Sequence, residues 1–169
     1  MTGLIRSLTS GAIGAVGLTV LHELARRRVS NAPRLDLMGM RALRRMSPTL
    51  HDPHVSSQRL HTVALAGDLM CNSLYYAAIP GRTPTSTWTR AAVLGLAAGF
   101  GALLLPEPMG LGPPPHSDRR SNQAMTVAWY AAGAAATAVA ATAIGQPSPS
   151  GSRLSKLHGE SRSRHPLRP

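Results

Sequence analysis

The chain has 169 residues, the length of a single domain. Only 4% of them are aromatic and Phe100 is the single phenylalanine, so a water-soluble core would have to be assembled from Ala, Leu, Val and Met with few large anchors. The formal charge of +11 raises nucleic acid as a partner, but the arginines flank apolar blocks and no basic stripe alternates with stacking aromatics, which sets that class aside.

The first apolar block runs from about Leu8 to Ala25, between Arg6 and the run Arg26, Arg27, Arg28. It leads into Glu23 and three arginines and has no small-residue cleavage site, so a retained membrane helix is expected in place of a signal peptide. In the long connection that follows, Leu35, Met38, Ala42 and Met46 recur at helical spacing while Arg34, Arg41, Arg44 and Arg45 are directed elsewhere. This predicts a basic amphipathic helix over 34–46, lying in the headgroup layer or packed on the protein's own helices. His51 and His54, in a Pro-containing loop, lack an evident third ligand, and no metal site is read there.

The second block, Thr62 to Ile79, is closed by Pro80-Gly81, a helix stop. Within it Cys71, the only cysteine, has no partner for an intrachain disulfide and no second thiol at metal spacing, and reads as a small buried hydrophobe. The third block, Ala91 to Leu105, has no charge between Arg90 and Pro106. Its length of about 22 Å falls short of a hydrocarbon core of about 30 Å, so it would need its flanks or local thinning of the bilayer. The fourth, Ala124 to Ile144, carries no charge in twenty-one residues and places Trp129 and Tyr130 near its start, where interfacial aromatics sit. Residues 1–145 therefore read as a membrane domain, and 146–169, rich in Ser, Pro, Gly and Arg, as a disordered basic tail.

The fold class expected is all-α, a membrane bundle of about four transmembrane helices plus one short amphipathic interfacial helix. Four spans put the first and third connections on one side with ten arginines, from Arg26 to Arg59 and at Arg119 and Arg120. Charge bias then favours those connections as cytoplasmic, with both termini outside. Arg26, Arg27, Arg28, Arg41, Arg44 and Arg45 are candidates for contact with lipid headgroups, anionic ones included.

Ionisable groups are costly in hydrocarbon and usually face a bundle interior or a cavity, so those inside the blocks are the candidate site. His61, Asp68, Asn72 and Tyr76 follow one another at seven, four and four residues and fall on one side of a helix. His22 and Glu23, near the end of the first block, would lie at a similar depth in an antiparallel pair. Asp68, Asn72, His22, Glu23 and His61 could bind a cation, a polar ligand or a proton. Alternatively they act as interhelical glue, with Glu23 pairing Arg26 or Arg27 one turn on.

Other patterns carry no chemistry. His22-Glu23 begins like H-E-x-x-H, but Arg26 stands where the second histidine should be. Gly11, Gly14 and Gly17 are not a phosphate-binding turn, since no strand precedes them. They read as a small-residue packing face, as do Gly95 with Gly99 and Gly133 with Thr137 and Ala141, serving this chain or a second copy. No G-x-S-x-G, P-loop or cysteine pair is present, so an enzyme would rest on the polar cluster alone, and no cofactor is expected.

The stretches Arg34-Leu-Asp-Leu-Met-Gly-Met-Arg-Ala-Leu43, Asn72-Ser-Leu-Tyr-Tyr76 and Ala124-Met-Thr-Val-Ala-Trp-Tyr130 resemble segments of small bacterial four-helix integral membrane proteins that carry no known activity. The resemblance implies residence in the bacterial inner membrane and assigns no catalytic residue. Seventeen arginines against one lysine also suit a GC-rich bacterial genome. The expected function is that of a small polytopic membrane protein, structural or accessory and non-enzymatic, acting through lipids, a membrane-protein partner or a homo-oligomer. The alternative is a small transporter or ion- or proton-conducting protein that uses the Asp/His/Glu cluster.

Overall fold

A computed structural model describes residues 2–29, 32–46 and 56–145. His51, His54 and the tail at 146–169 lie outside the described residues. Five helices and no strand occur among the described residues: α1 (Thr2–Arg28), α2 (Leu35–Met46), α3 (Ser57–Tyr76), α4 (Pro84–Leu104) and α5 (Arg120–Ile144).

Helix ends follow local chemistry more than hydropathy. Ser56 caps α3, its side chain accepting from the Arg59 amide at 3.2 Å. Thr83 and Ser86 form a reciprocal capping box ahead of α4, with Pro84 in its first turn. That start corrects the expectation of a short third block. Arg90 does not end the apolar helix but lies within it, and α4 has 21 residues, or about 31 Å. α3 ends at Tyr76, three residues short of the predicted limit, because the chain turns at Ala77 and Ala78 before Pro80.

Packed neighbours form a row in the order α2, α3, α1, α5, α4, with α1 held between α3 and α5. Each packed long helix is antiparallel to its neighbour. Near one end of α1 the Arg6 Nε donates to the Ala141 carbonyl of α5 at 2.9 Å, and near the other the His22 ring lies 5.2 Å from that of Trp129. The arginines at the end of α1, all of α2, the 105–119 loop and the start of α5 therefore gather at one end, the basic end.

Small residues make the contacts. A Cβ on Gly14 would collide with Thr137 and with the Gly133 carbonyl, and one on Gly11 would meet the Ser73 carbonyl and the Ala77 amide. On Gly95 a Cβ would stand 2.8 Å from that of Ala134, and on Gly99 it would stand 2.7 Å from the Val127 Cα. All three small-residue faces are thus used within the chain, and they bring backbones together as in membrane helix pairs. Where α1, α3 and α5 meet, Tyr76 is fully buried and donates its hydroxyl to the Tyr130 carbonyl at 2.9 Å.

Large apolar side chains point outward instead, among them Ile13, Val16, Val20, Val93, Phe100 and Leu104. Together with the alanine-rich core, this inverts the usual distribution of a water-soluble domain. Three helices, Gly3–Arg28, Pro84–Leu104 and Arg120–Ile144, are long and apolar enough to cross a membrane. α3 is of similar length but carries Gln58, Arg59, His61, Asp68 and Asn72.

Two side chains differ from their predicted positions. Cys71 is exposed on the outer flank of α3, since its neighbours Leu60, Ala64, Asn72 and Tyr76 take the inward positions. Trp129 is 8% exposed against His22, nine residues into α5, because that helix begins at Arg120 and carries the tryptophan about 14 Å from its start.

Candidate functional site

The site is a polar pocket of about 130 Å³ between α1, α2 and α3, whose polar lining is His22, Asp36, His61 and Asp68 and whose apolar lining includes Met38 and Ala64. α2 forms its roof. Met38 is 7% exposed, and Gly39 lets α2 settle against Ala64, to which a Cβ on that glycine would approach within 3.3 Å. The amphipathic helix thus packs on the protein's own helices, and the apolar stripe gives out at Met46, which is 82% exposed.

The roof is fastened by side chains reaching for backbone. His22 Nε2 donates to the Pro33 carbonyl at 3.2 Å and His116 Nδ1 to the Ala32 carbonyl at 3.3 Å, so one histidine from α1 and one from the 105–119 loop pin the linker between α1 and α2. A carbonyl only accepts, which assigns the proton to those two nitrogens. His116 itself adopts a φ of 61° and its carbonyl accepts from Asn122 at 2.7 Å. Arg41 donates to the carbonyls of Leu111 and Pro113, and Arg45 to that of Gly110, at 3.1–3.3 Å. The turn that presents these carbonyls needs φ of 74° at Gly110 and 75° at Gly112, a region open to glycine at no steric cost.

Asp36, whose side chain is 8% exposed, accepts two hydrogen bonds from Arg34 at 2.8 Å and has His61 Nδ1 at 3.8 Å. Burial acts to raise its carboxyl, but the hydrogen bonds and charge of Arg34 outweigh that and hold it below the usual carboxylate range. The same pairing raises Arg34 above its ordinary value.

Of the predicted site residues, His22, His61 and Asp68 share the pocket. Asn72 is buried beside it and donates to the Asp68 carboxylate at 2.9 Å. Glu23 is directed away, accepting from Arg26 at 2.7 and 3.0 Å and from Arg27 at 3.0 Å. Asp68 sits at the open edge of the pocket, exposed on the flank of α3. It is twelfth of twenty residues in that helix, so the lining descends from the basic end to mid-helix depth.

Among the predicted headgroup candidates, Arg26 and Arg27 engage Glu23 and Arg41 and Arg45 engage the loop, while Arg28 and Arg44 are exposed on the basic end. Sequence reasoning missed Asp36 and His116. Asp36 was legible as the lone acid in an arginine-rich segment, whereas His116 gains its role only through the turn that carries it. Among the described residues no group of three or more His, Cys, Asp or Glu is arranged to hold a metal ion. No family model, curated protein or solved structure matches the chain.

Proposed function

We propose that the protein is a four-span, non-enzymatic integral membrane protein of the bacterial inner membrane, a structural or accessory element with its basic end in the cytoplasm. The observation that carries this reading is the use made of the polar groups. His22, His116, Arg34, Arg41, Arg45 and Glu23 are engaged in holding the linker, the roof helix and the helix end, which is the work of a scaffold. Span parity supports a fourth crossing. α1 ends and α5 begins at the basic end, and α4 runs antiparallel to α5, so α3 has to carry the chain back to where α4 starts. Its antiparallel packing on α1 supports the same depth despite its polar residues. The arginines gathered at one end support the orientation.

Cysteine accessibility in a Cys71→Ser background tests this. Single variants R28C and D118C should react with an impermeant maleimide only from the cytoplasm, and R82C only from outside. Labelling of Asp118 and Arg82 variants from the same side, or a soluble monomer obtained without detergent, overturns the four-span reading.

One observation favours a second activity at the same place. Asp68 is the lining carboxylate farthest along α3 from the basic end, makes no ion pair among the described residues and shares the pocket with His22 and His61, which suits uptake of a proton or a small cation from the basic end. Ion or proton flux into proteoliposomes that disappears in Asp68→Asn, with the variant still folded and inserted, is the expected result of that activity. Equal flux in the variant removes it.

A further inference from the structure

A second cavity lies away from the polar pocket, on the outer side of the α4–α5 pair. It is an open groove of about 720 Å³, inside the range of roughly 300–1,000 Å³ typical of small-molecule sites. Its floor is Ala124, Ala128 and Ala131 on one face of α5, and its wall is Leu96, Phe100, Leu103 and Leu104 on α4. The alanines make the hollow. Gly95 and Gly99 draw the two backbones together, while the large α4 side chains beside them stand out over alanines that do not reach them.

Along α5 the groove runs from Arg120 to Ala131, a rise of about 16 Å, which matches half of a hydrocarbon core of about 30 Å. One leaflet has that depth. Its lining ends near mid-helix at Leu96 and Ala131, and at the basic end it changes to Ser117, Arg120 and Gln123. Arg120 is exposed and makes no ion pair among the described residues, and no acidic side chain lines the groove.

We propose that this groove binds one anionic phospholipid of the leaflet at the basic end, an acyl chain lying over Ala124, Ala128 and Ala131 and the phosphate meeting Arg120. The inference rests on the membrane placement proposed above. Charge complementarity selects the headgroup, because a guanidinium beside apolar walls favours a phosphate-bearing amphiphile over a neutral apolar helix. Depth selects the chain, because the cleft ends where a leaflet ends.

The test is native mass spectrometry of the full-length protein in detergent, titrated separately with phosphatidylglycerol and with phosphatidylcholine. One bound phosphatidylglycerol per chain is expected, retained about fivefold to tenfold better than phosphatidylcholine. Arg120→Gln should bring the two lipids to near parity, and Ala128→Phe, which fills the floor, should lower retention of both. Melting of each variant at the temperature of the parent shows that folding is intact, and Leu104→Trp offers a second way to block the groove from its wall. Equal retention of both lipids by the parent, or unchanged retention in the filled variants, overturns the proposal. So does a disulfide between two copies of Ala128→Cys in the Cys71→Ser background, which would assign the groove to a second chain. A protein that inserts with the expected labelling yet keeps no lipid overturns this inference alone, whereas one that remains soluble without detergent overturns the membrane placement as well.

Discussion

The seam where α1 meets α3 and α5 and the basic end where α2 is fastened both hold helices in place, by opposite means. At the seam there is almost nothing between backbones: Gly11, Gly14 and Gly133 remove the side chains, and the buried Tyr76 supplies one hydrogen bond. At the basic end, long side chains cross open distances to reach carbonyls at Ala32, Pro33, Gly110, Leu111 and Pro113. Close backbone contact has no slack, so a single added carbon is felt at once. Several reaching side chains share the load and each can be lost at modest cost. The first arrangement defines the bundle, the second positions a lid on it.

Substitution at the seam should therefore have the largest effect. Gly14→Leu drives a side chain into Thr137 and the Gly133 carbonyl, for a loss of about 3 kcal/mol or more, read as unfolding of the purified protein in detergent. Gly17→Ala is its control, because a Cβ there meets only Ala136 at 3.8 Å and stability should stay within about 0.5 kcal/mol of the parent. If the two variants behave alike, the seam is not the close contact described.

A smaller and more local effect is expected at the basic end. Asp36→Asn loses the paired bonds from Arg34 and should cost about 1–3 kcal/mol, seen as faster hydrogen exchange over 35–46 with the long helices unaffected. The smallest effect is that of pH. Because Arg34 holds the Asp36 carboxyl below its unfolded value, the contribution is complete above the usual carboxylate range and is lost as pH falls through the lower folded value. Protection of α2 should thus decline on acidification in the parent, and the acid-dependent component due to position 36 should be absent from the Asn variant.

What could be read from residues alone divides along the same line. Helical class, the apolar blocks and all three small-residue faces are legible, because glycine spacing and uncharged runs are local properties of the chain. The polar side of α3 was also legible: His61 and Asp68 line the pocket with Asn72 beside them, as seven- and four-residue spacing requires. Glu23 leaves that set by the alternative that its spacing offered, pairing with Arg26 and Arg27 three and four residues on. The start of α4 was missed by weighing Arg90 as a boundary while Thr83, Pro84 and Ser86 already spelled a helix cap. The outward flank at Cys71 and the inward turn of Trp129 depend on which neighbour each helix acquires, and no local pattern encodes that choice. Asp36 was legible as the lone acid among arginines, although its partner Arg34 is two residues away, outside the i, i+3 and i, i+4 spacings that mark helical pairs.

The place of α1 in the row of helices has a consequence for biosynthesis. Translation delivers α1 first and α5 last among the five helices, yet α1 offers one glycine face to α3 and another to α5. After α3 emerges, the face carrying Gly14 still has no helix to meet until residues 120–144 have left the ribosome. During that interval a grooved stripe of α1 stands uncovered by the protein's own helices. Assembly of the bundle is therefore timed by the last of the five helices, and a chain cut short before α5 would leave the first helix with an open seam.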